Sequence, residues 1–316
     1  MSLKAIALGL LATSALVGGA VAQDEQIKIG VSIPAATHGF MGGLNWHAAE
    51  AEKRLEGLHS NIDLIIVTAD GPEDQASDLE DLVSVQQIDA LVVLPFESEP
   101  LTEPVRAVKE TGAFITVVDR GLTDPSIQDV YVSGNNTEMG VNSAEYMMTR
   151  LGEGDNIVIL RGIPTVLDTE RFDAFMATIE GSGINVLDDE FANWNRDDGF
   201  KVMQDFLTRF PDIKGVWTQD DDISLGAIEA IKQAGREGEM FVVGGAGMQQ
   251  ILQRVQAGDA LTPIDVSYSP AMIATAIELT TSHLVGGIHV NGRFVLESTL
   301  ITQENAAEFL DADSPF

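Results

Sequence analysis

The 316-residue sequence contains no cysteine. That excludes disulfide bonds and a lipid attached through cysteine behind an export signal. Basic residues are also scarce: 18 Lys and Arg stand against 49 Asp and Glu, for a formal charge of −31. So acidic a surface repels nucleic acid and anionic membranes, and neither is expected as a partner. The acidic excess goes beyond what solubility requires; a high-salt setting, where ions screen self-repulsion, would account for it. Catalytic signatures are missing as well. There is no G-x-x-x-x-G-K-[ST], no G-x-S-x-G and no zinc-type pair among the five histidines. Gly244-Gly245-Ala246-Gly247 lacks both the spacing and the partner acid of a dinucleotide site. No enzyme activity, metal or cofactor is expected, and the chain reads as built to bind.

Long apolar runs are absent except one. Lys4 precedes an apolar stretch from Ala5 to Val17, followed by Ala20-Val21-Ala22. The stretch is short for a membrane span, and the small-x-small ending fits a secretory signal peptide over 1–22. A soluble, exported protein, periplasmic and without a membrane anchor, is the expectation.

What the chain does have is an alternation of strand and helix patterns. Apolar runs at 27–33, 64–69, 90–94, 114–118 and 130–132 alternate with helical patterns at 40–58, 72–87 and 101–111. The rhythm restarts with helices at 136–151, 169–182, 199–210 and 224–235, and strands at 156–160, 185–191, 215–219 and 240–244. A helix at 249–257, an extended 262–268, a helix at 270–284 and a strand near 294–298 complete it. Such alternation predicts βαβ units and parallel sheets. Hydrophobic content of 45% and this length predict two similar Rossmann-like lobes joined by a hinge, with a ligand cleft between.

Ligands in such sheets sit beyond the carboxyl ends of the strands, so polar residues there form the candidate list. Asp119 and Arg120 follow the strand 114–118 and can grip a polar ligand or form a surface ion pair. His38 stands in a strand-to-helix turn beside Phe40 and Met41, facing the cleft or playing a structural part. Trp194 and Asn195 follow 185–191, where an aromatic can stack on a sugar face while an amide serves its hydroxyls. Asp220, Asp221 and Asp222 read as a solvated helix start, as acceptors for hydroxyls through Asp220, or as a divalent-cation site. Asp168 is a ligand-facing carboxylate or the cap of a helix begun by Thr169.

Several segments resemble the type I periplasmic sugar-binding proteins of ABC importers, ribose-binding proteins among them. They are Ile27-Lys28-Ile29-Gly30-Val31-Ser32-Ile33, Val118-Asp119-Arg120, Arg171-Phe172-Asp173-Ala174-Phe175, Phe210-Pro211-Asp212-Ile213 and Asp220-Asp221-Asp222-Ile223-Ser224. The resemblance spans the chain after the signal peptide. It implies an N-terminal lobe of 23–133 plus 268–292 and a C-terminal lobe of 134–267 plus 293–316. It also implies a monomer that captures a monosaccharide or polyol and passes it to the importer's permease. Phe40 falls at a ring-stacking position, with Met41 at a neighbouring one, and His38 where an amide is usual. Asp119 and Arg120 match the pattern, and Trp194 replaces a second stacking aromatic. Asp220 takes an amide position and Tyr268 a hinge position; Asn135 is counted with the ligand set. Asp168 departs from the pattern, standing where an arginine is expected, and no aspartate follows Val242-Val243-Gly244. These departures suggest a hydroxyl-rich or amine-bearing ligand. Two other readings are a periplasmic receptor for a sugar-like signal, and a hydrolase using a metal at Asp220, Asp221 and Asp222.

The charge excess makes a prediction of its own. If it is suited to a saline setting, the melting temperature rises from low to molar NaCl as self-repulsion is screened. Affinity for a neutral ligand in a closed cleft changes far less. A melting temperature that stays flat or falls would remove the saline explanation.

Overall fold

The computed structural model describes residues 26–316; the expected signal peptide lies outside them. The first lobe opens with β1 (Ile27–Pro34), α1 (Gly39–Leu58), β2 (Ile62–Ala69) and α2 (Pro72–Asp81), which continues as a π-helical turn through Gln86. β3 (Ala90–Val93), α3 (Ser98–Glu110), β4 (Phe114–Val118) and β5 (Val130–Gly134) follow. The second lobe contains α4 (Asn136–Arg150), β6 (Asn156–Arg161), α5 (Val166–Ile179), β7 (Asn185–Phe191), α6 (Arg196–Arg209) and β8 (Gly215–Thr218). It continues with α7 (Asp221–Gln233), β9 (Phe241–Val243), α8 (Gln249–Gln256) and β10 (Asp265–Val266). The chain then returns to the first lobe for α9 (Met272–Gly286) and β11 (Gly292–Leu296), and crosses again to β12 (Leu300–Ile301).

The first sheet is six-stranded in the order β11-β5-β4-β3-β1-β2, and the second four-stranded as β7-β6-β8-β9. Every pairing in both is parallel. Parallel strands covered by helices on both faces are buried on both, so β3, β4 and β5 are uninterrupted buried runs. β10 and β12 form a small antiparallel pair beside the crossovers. One expected boundary moves. Phe294 pairs with Val132 in the first sheet, so the chain leaves that lobe after Leu296 and not at 292, because without β11 the strand β5 would be an unpaired edge.

α4 and α8 begin where the sequence places them, whereas α5, α6 and α7 begin about three residues before the expected positions. α4, α5, α6 and α7 are each capped by the side chain just before the first helical residue. Asn135 accepts from the Glu138 N–H, Thr165 from Asp168, Asn195 from Asp197 and Asp198, and Asp220 from Asp222 and Ile223. The polar run that looks like loop in sequence is therefore the first helical turn, where orphan N–H groups need acceptors.

Two helix pairs cover this sheet at close range. A Cβ on Gly140 of α4 would lie 2.3 Å from the Arg171 carbonyl of α5, and one on Gly226 of α7 would lie 2.1 Å from the Arg196 carbonyl of α6. Backbone meets backbone at both crossings, so no side-chain rotation can make room. Gly226→Ala should cost roughly 1–3 kcal/mol of unfolding free energy, the usual penalty of overpacking. Gly57→Ala on the exposed end of α1, where nothing lies within 4 Å, should stabilise by about 0.5–1 kcal/mol. Urea titration of both variants checks this, and equal effects would show that the α6–α7 contact can relax.

Candidate functional site

The carboxyl ends of the two parallel sheets face each other across a small cavity, the place where ligands of open α/β sheets sit. His38, Phe40, Met41, Asp119 and Arg120 line it from the first lobe, and Leu167, Arg171, Trp194, Asp220 and Ala246 from the second. Tyr268, on the crossover after β10, completes the wall. The lobes are closed upon it. The Gly39 N–H at the start of α1 donates to Asp222 Oδ2 on α7 at 2.7 Å, and Arg196 holds the other oxygen of Asp222 at 3.2 Å.

Each lining group has a local cause. Asp119 follows β4 in the left-handed region (φ 57°), where Asp is among the better-tolerated residues. Its amide donates to the Val132 carbonyl at 2.8 Å, and the Tyr131 hydroxyl donates to its carbonyl. The Asp119 side chain accepts from the Tyr268 hydroxyl at 2.6 Å. Arg120 gives Nη1 to the Phe96 carbonyl at 2.6 Å, while its buried Nε has no partner within the protein. Burial lowers the Arg120 pKa, with Asp119, Tyr268 and Glu97 opposing the shift.

Across the cleft, Asn193 and Trp194 both adopt positive φ (55° and 50°), an outlier conformation for so bulky a residue as tryptophan. The indole is seated against Gly162, where any Cβ would lie 2.0 Å from its Nε1. The Arg120 guanidinium lies 5.8 Å from its ring centroid. Asp220 is buried, and desolvation, then Asp222 and Asp221, push its carboxyl well above the usual range.

Arg171 was not among the expected site residues, although its segment was among those carrying the family resemblance. Its Nε donates to Asn136 Oδ1 and its Nη1 to the Gln219 carbonyl, both at 2.8 Å, and its guanidinium lies 4.4 Å from the Tyr268 ring centroid. A basic residue in the second turn of a helix after a strand, in a chain with so few, is the signal that could have marked it.

Three expected residues are not brought into the cavity. Asn135 and Asn195 spend their side-chain oxygens as helix caps. Asp168 is fully buried and ion-paired with Arg161, and also accepts from the Gly162 N–H at 3.2 Å. It is not the cap of a later helix either, since α5 starts at Val166 with Thr165 as cap. With its charge already met by Arg161, Asp168 gives no reason to expect an amine on the ligand.

The cation-site reading also fails. The carboxylates of Asp220, Asp221 and Asp222 diverge to the α7 cap, to the loop 245–248 and to Gly39. No group of three acidic, His or Cys side chains suited to a metal occurs among the described residues. Asp221 accepts from Gly245, Gly247 and Met248 N–H groups, and Asp265 from Gly247 and Val266. These two buried carboxyls hold the loop that carries Ala246, where the expected aspartate is missing.

Known proteins match this architecture. The family described as periplasmic binding protein domain matches residues 29–287. The xylitol-binding protein of Mycolicibacterium smegmatis is 30% identical over 292 residues, covering 90% of this chain and 76% of its own. The ribose import binding protein of Bacillus subtilis is 26% identical over 281 residues, covering 89% and 88%. Among solved structures, an ABC transporter solute-binding protein from Bacillus halodurans with bound myo-inositol superposes with a TM-score of 0.81 at 22% identity, covering 91% of this chain and 98% of its own.

The site has a testable pH signature. Burial, with Arg120 adding to it and Asp222 opposing it, lowers the His38 pKa from 6.5 to about 4. The folded protein therefore keeps His38 neutral where the unfolded chain protonates it. Its stabilising contribution is complete above pH 6.5 and is lost as pH falls toward 4, by up to ~3 kcal/mol. Asp265, raised to about 7 mainly by burial, acts oppositely: its contribution is complete below 3.8 and is lost as pH rises through 7. The two trends overlap, so His38→Asn isolates the first. The stability difference between wild type and variant should shrink steadily from pH 7 to 4, and parallel curves would show that His38 is not desolvated.

Proposed function

The chain belongs to the periplasmic binding protein family, in its type I sugar-binding branch, and on that premise we propose that it captures a neutral monosaccharide or polyol. The observation that carries this reading is the enclosed cavity in which two carboxyl groups, Asp119 and Asp220, face two guanidiniums, Arg120 and Arg171. Hydroxyl groups donate and accept at once, so a ligand dense in them can serve both kinds of partner. Phe40 from the first lobe and Trp194 from the second supply apolar faces for the C–H side of such a ligand. Relatives named for xylitol and ribose support a ligand of that size. The pairing of Asp168 with Arg161 favours a neutral ligand over an amine.

Capture works by closure. The ligand bridges groups on both lobes and so binds the closed state more tightly, shifting the population toward it. Asp119 and Arg120 bind hydroxyls from one side and Asp220 and Arg171 from the other. The closed, loaded monomer then delivers its cargo in the periplasm to the permease of an ABC importer, with no chemical change to the ligand.

A thermal-shift panel of xylitol, ribose, allose, myo-inositol and several amino acids tests the class, because a ligand that binds only the folded state raises the melting temperature. At least one hydroxylated compound should raise it. Asp119→Ala should then weaken binding at least tenfold, since hydrogen bonds to a charged group contribute about 1.5–3 kcal/mol. Trp194→Ala should cost roughly 1–3 kcal/mol, the scale of an apolar group returned to water. A response confined to amino acids, or unchanged affinity in both variants, would overturn the reading.

A further inference from the structure

Three backbone crossovers join the lobes, and a fourth connection exists that is not a crossover. Residues 309–316 leave the second lobe and end against the first. At the near end Ala306 is buried in the core of the second lobe, and Phe309 and Leu310 pack against that core. Gln249 Nε2 of α8 donates to the Asp311 carbonyl at 2.7 Å. At the far end Phe316 is buried against α1, its ring 5.9 Å from that of Phe40 and at 86° to it. Gly43 of α1 provides the seat, since a Cβ there would lie 2.5 Å from the Cβ of Phe316. Between the two ends lies another cavity, walled by His47 of the first lobe, Gln249 of the second, and Asp311 and Ser314 of the segment itself. The segment thus spans a gap on the hinge side and touches both bodies that move when the cleft opens.

We propose that residues 309–316 are a strap across the hinge, and that Phe316 is a positioning residue that holds Phe40 toward the cavity and restrains opening. The physical reason is the placement of its anchor. Phe40 has Phe316 against its edge and Tyr268 on another side, the latter at 5.8 Å. Rotating the first lobe away from the second must either stretch residues 311–315 or withdraw Phe316 from its seat. Withdrawal exposes a large aromatic ring to water and removes the support that fixes the Phe40 ring. The strap therefore biases the ligand-free protein toward closure, and ligand release has to overcome that bias.

The absence of cysteine makes the test clean. Cysteines introduced at Leu58, on the exposed end of α1, and at Lys201, exposed on α6, carry spin labels with no background sites. Inter-lobe distances are measured by pulsed electron resonance without ligand, in otherwise native protein and in Phe316→Ala. The variant should shift to longer distances with a broader distribution, and Phe316→Leu should restore most of the native distribution. Should Phe316→Ala not fold, Gly43→Ala displaces the same anchor from the other side and should give the same shift. Identical distributions in all folded variants would overturn the strap. A second arm rests on the sugar-binding reading and uses xylitol as the probe: its release from Phe316→Ala should be roughly tenfold faster, equivalent to about 1.4 kcal/mol. Failure of xylitol to bind any form would count against that reading, while the ligand-free distances would still decide the strap.

Discussion

The side chain of Tyr268 is the junction on which the closed site depends. Its hydroxyl donates to Asp119 of the first lobe, its ring lies under the Arg171 guanidinium of the second, and the ring packs tilted against Phe40. It stands on a crossover between the lobes, so one residue of the hinge reads the position of both. Burial, with Asp119 nearby, holds its phenol well above the ordinary range, so it remains a hydrogen-bond donor throughout neutral pH. The donor in turn fixes one oxygen of Asp119. Burying an ionised carboxylate is costly unless it is hydrogen-bonded, and here the protein supplies only part of the set.

A similar economy runs through the second lobe. Each turn leading into α4, α5, α6 and α7 needs an acceptor for its orphan N–H groups, and each finds it in the residue just before the helix. Caps and ligand contacts therefore compete for the same positions at the carboxyl ends of the strands. Asn135 and Asn195 are committed to the cap. Asp220 serves both, because a carboxylate has a second oxygen: Oδ1 caps α7 while the side chain still lines the cavity. Asp221 and Asp222 are likewise committed, one to the backbone of loop 245–248 and one to the opposite lobe. A run of three aspartates is thus divided among three tasks by the geometry of a single helical turn.

The strand and helix order was legible in the sequence because apolar runs and helical periodicity report directly on burial, and the parallel sheets followed from their alternation. The ligand-facing set was legible where a residue type had no local use. Asp119, Arg120, His38, Phe40 and Trp194 stand at the carboxyl ends of strands, and all line the cavity. Asp168 read as either a ligand group or a helix cap, and its actual partner Arg161 stands only seven residues away. Nothing in the spacing says whether two such groups meet, since one ends a strand and the other lies inside the first turn of a helix.

What the sequence determined by itself was local: which segments are strands or helices, which turns carry polar groups, and how acidic the surface is. Tertiary structure alone decided which polar groups were left for a ligand. Gly39 meets Asp222 across 183 positions, Tyr268 meets Asp119 across 149, and Phe316 packs against Phe40. These pairings arise because two separately folded sheets bring their carboxyl ends together. A hydrogen bond formed between lobes leaves no periodic trace in the chain, as neither partner's local conformation depends on the other.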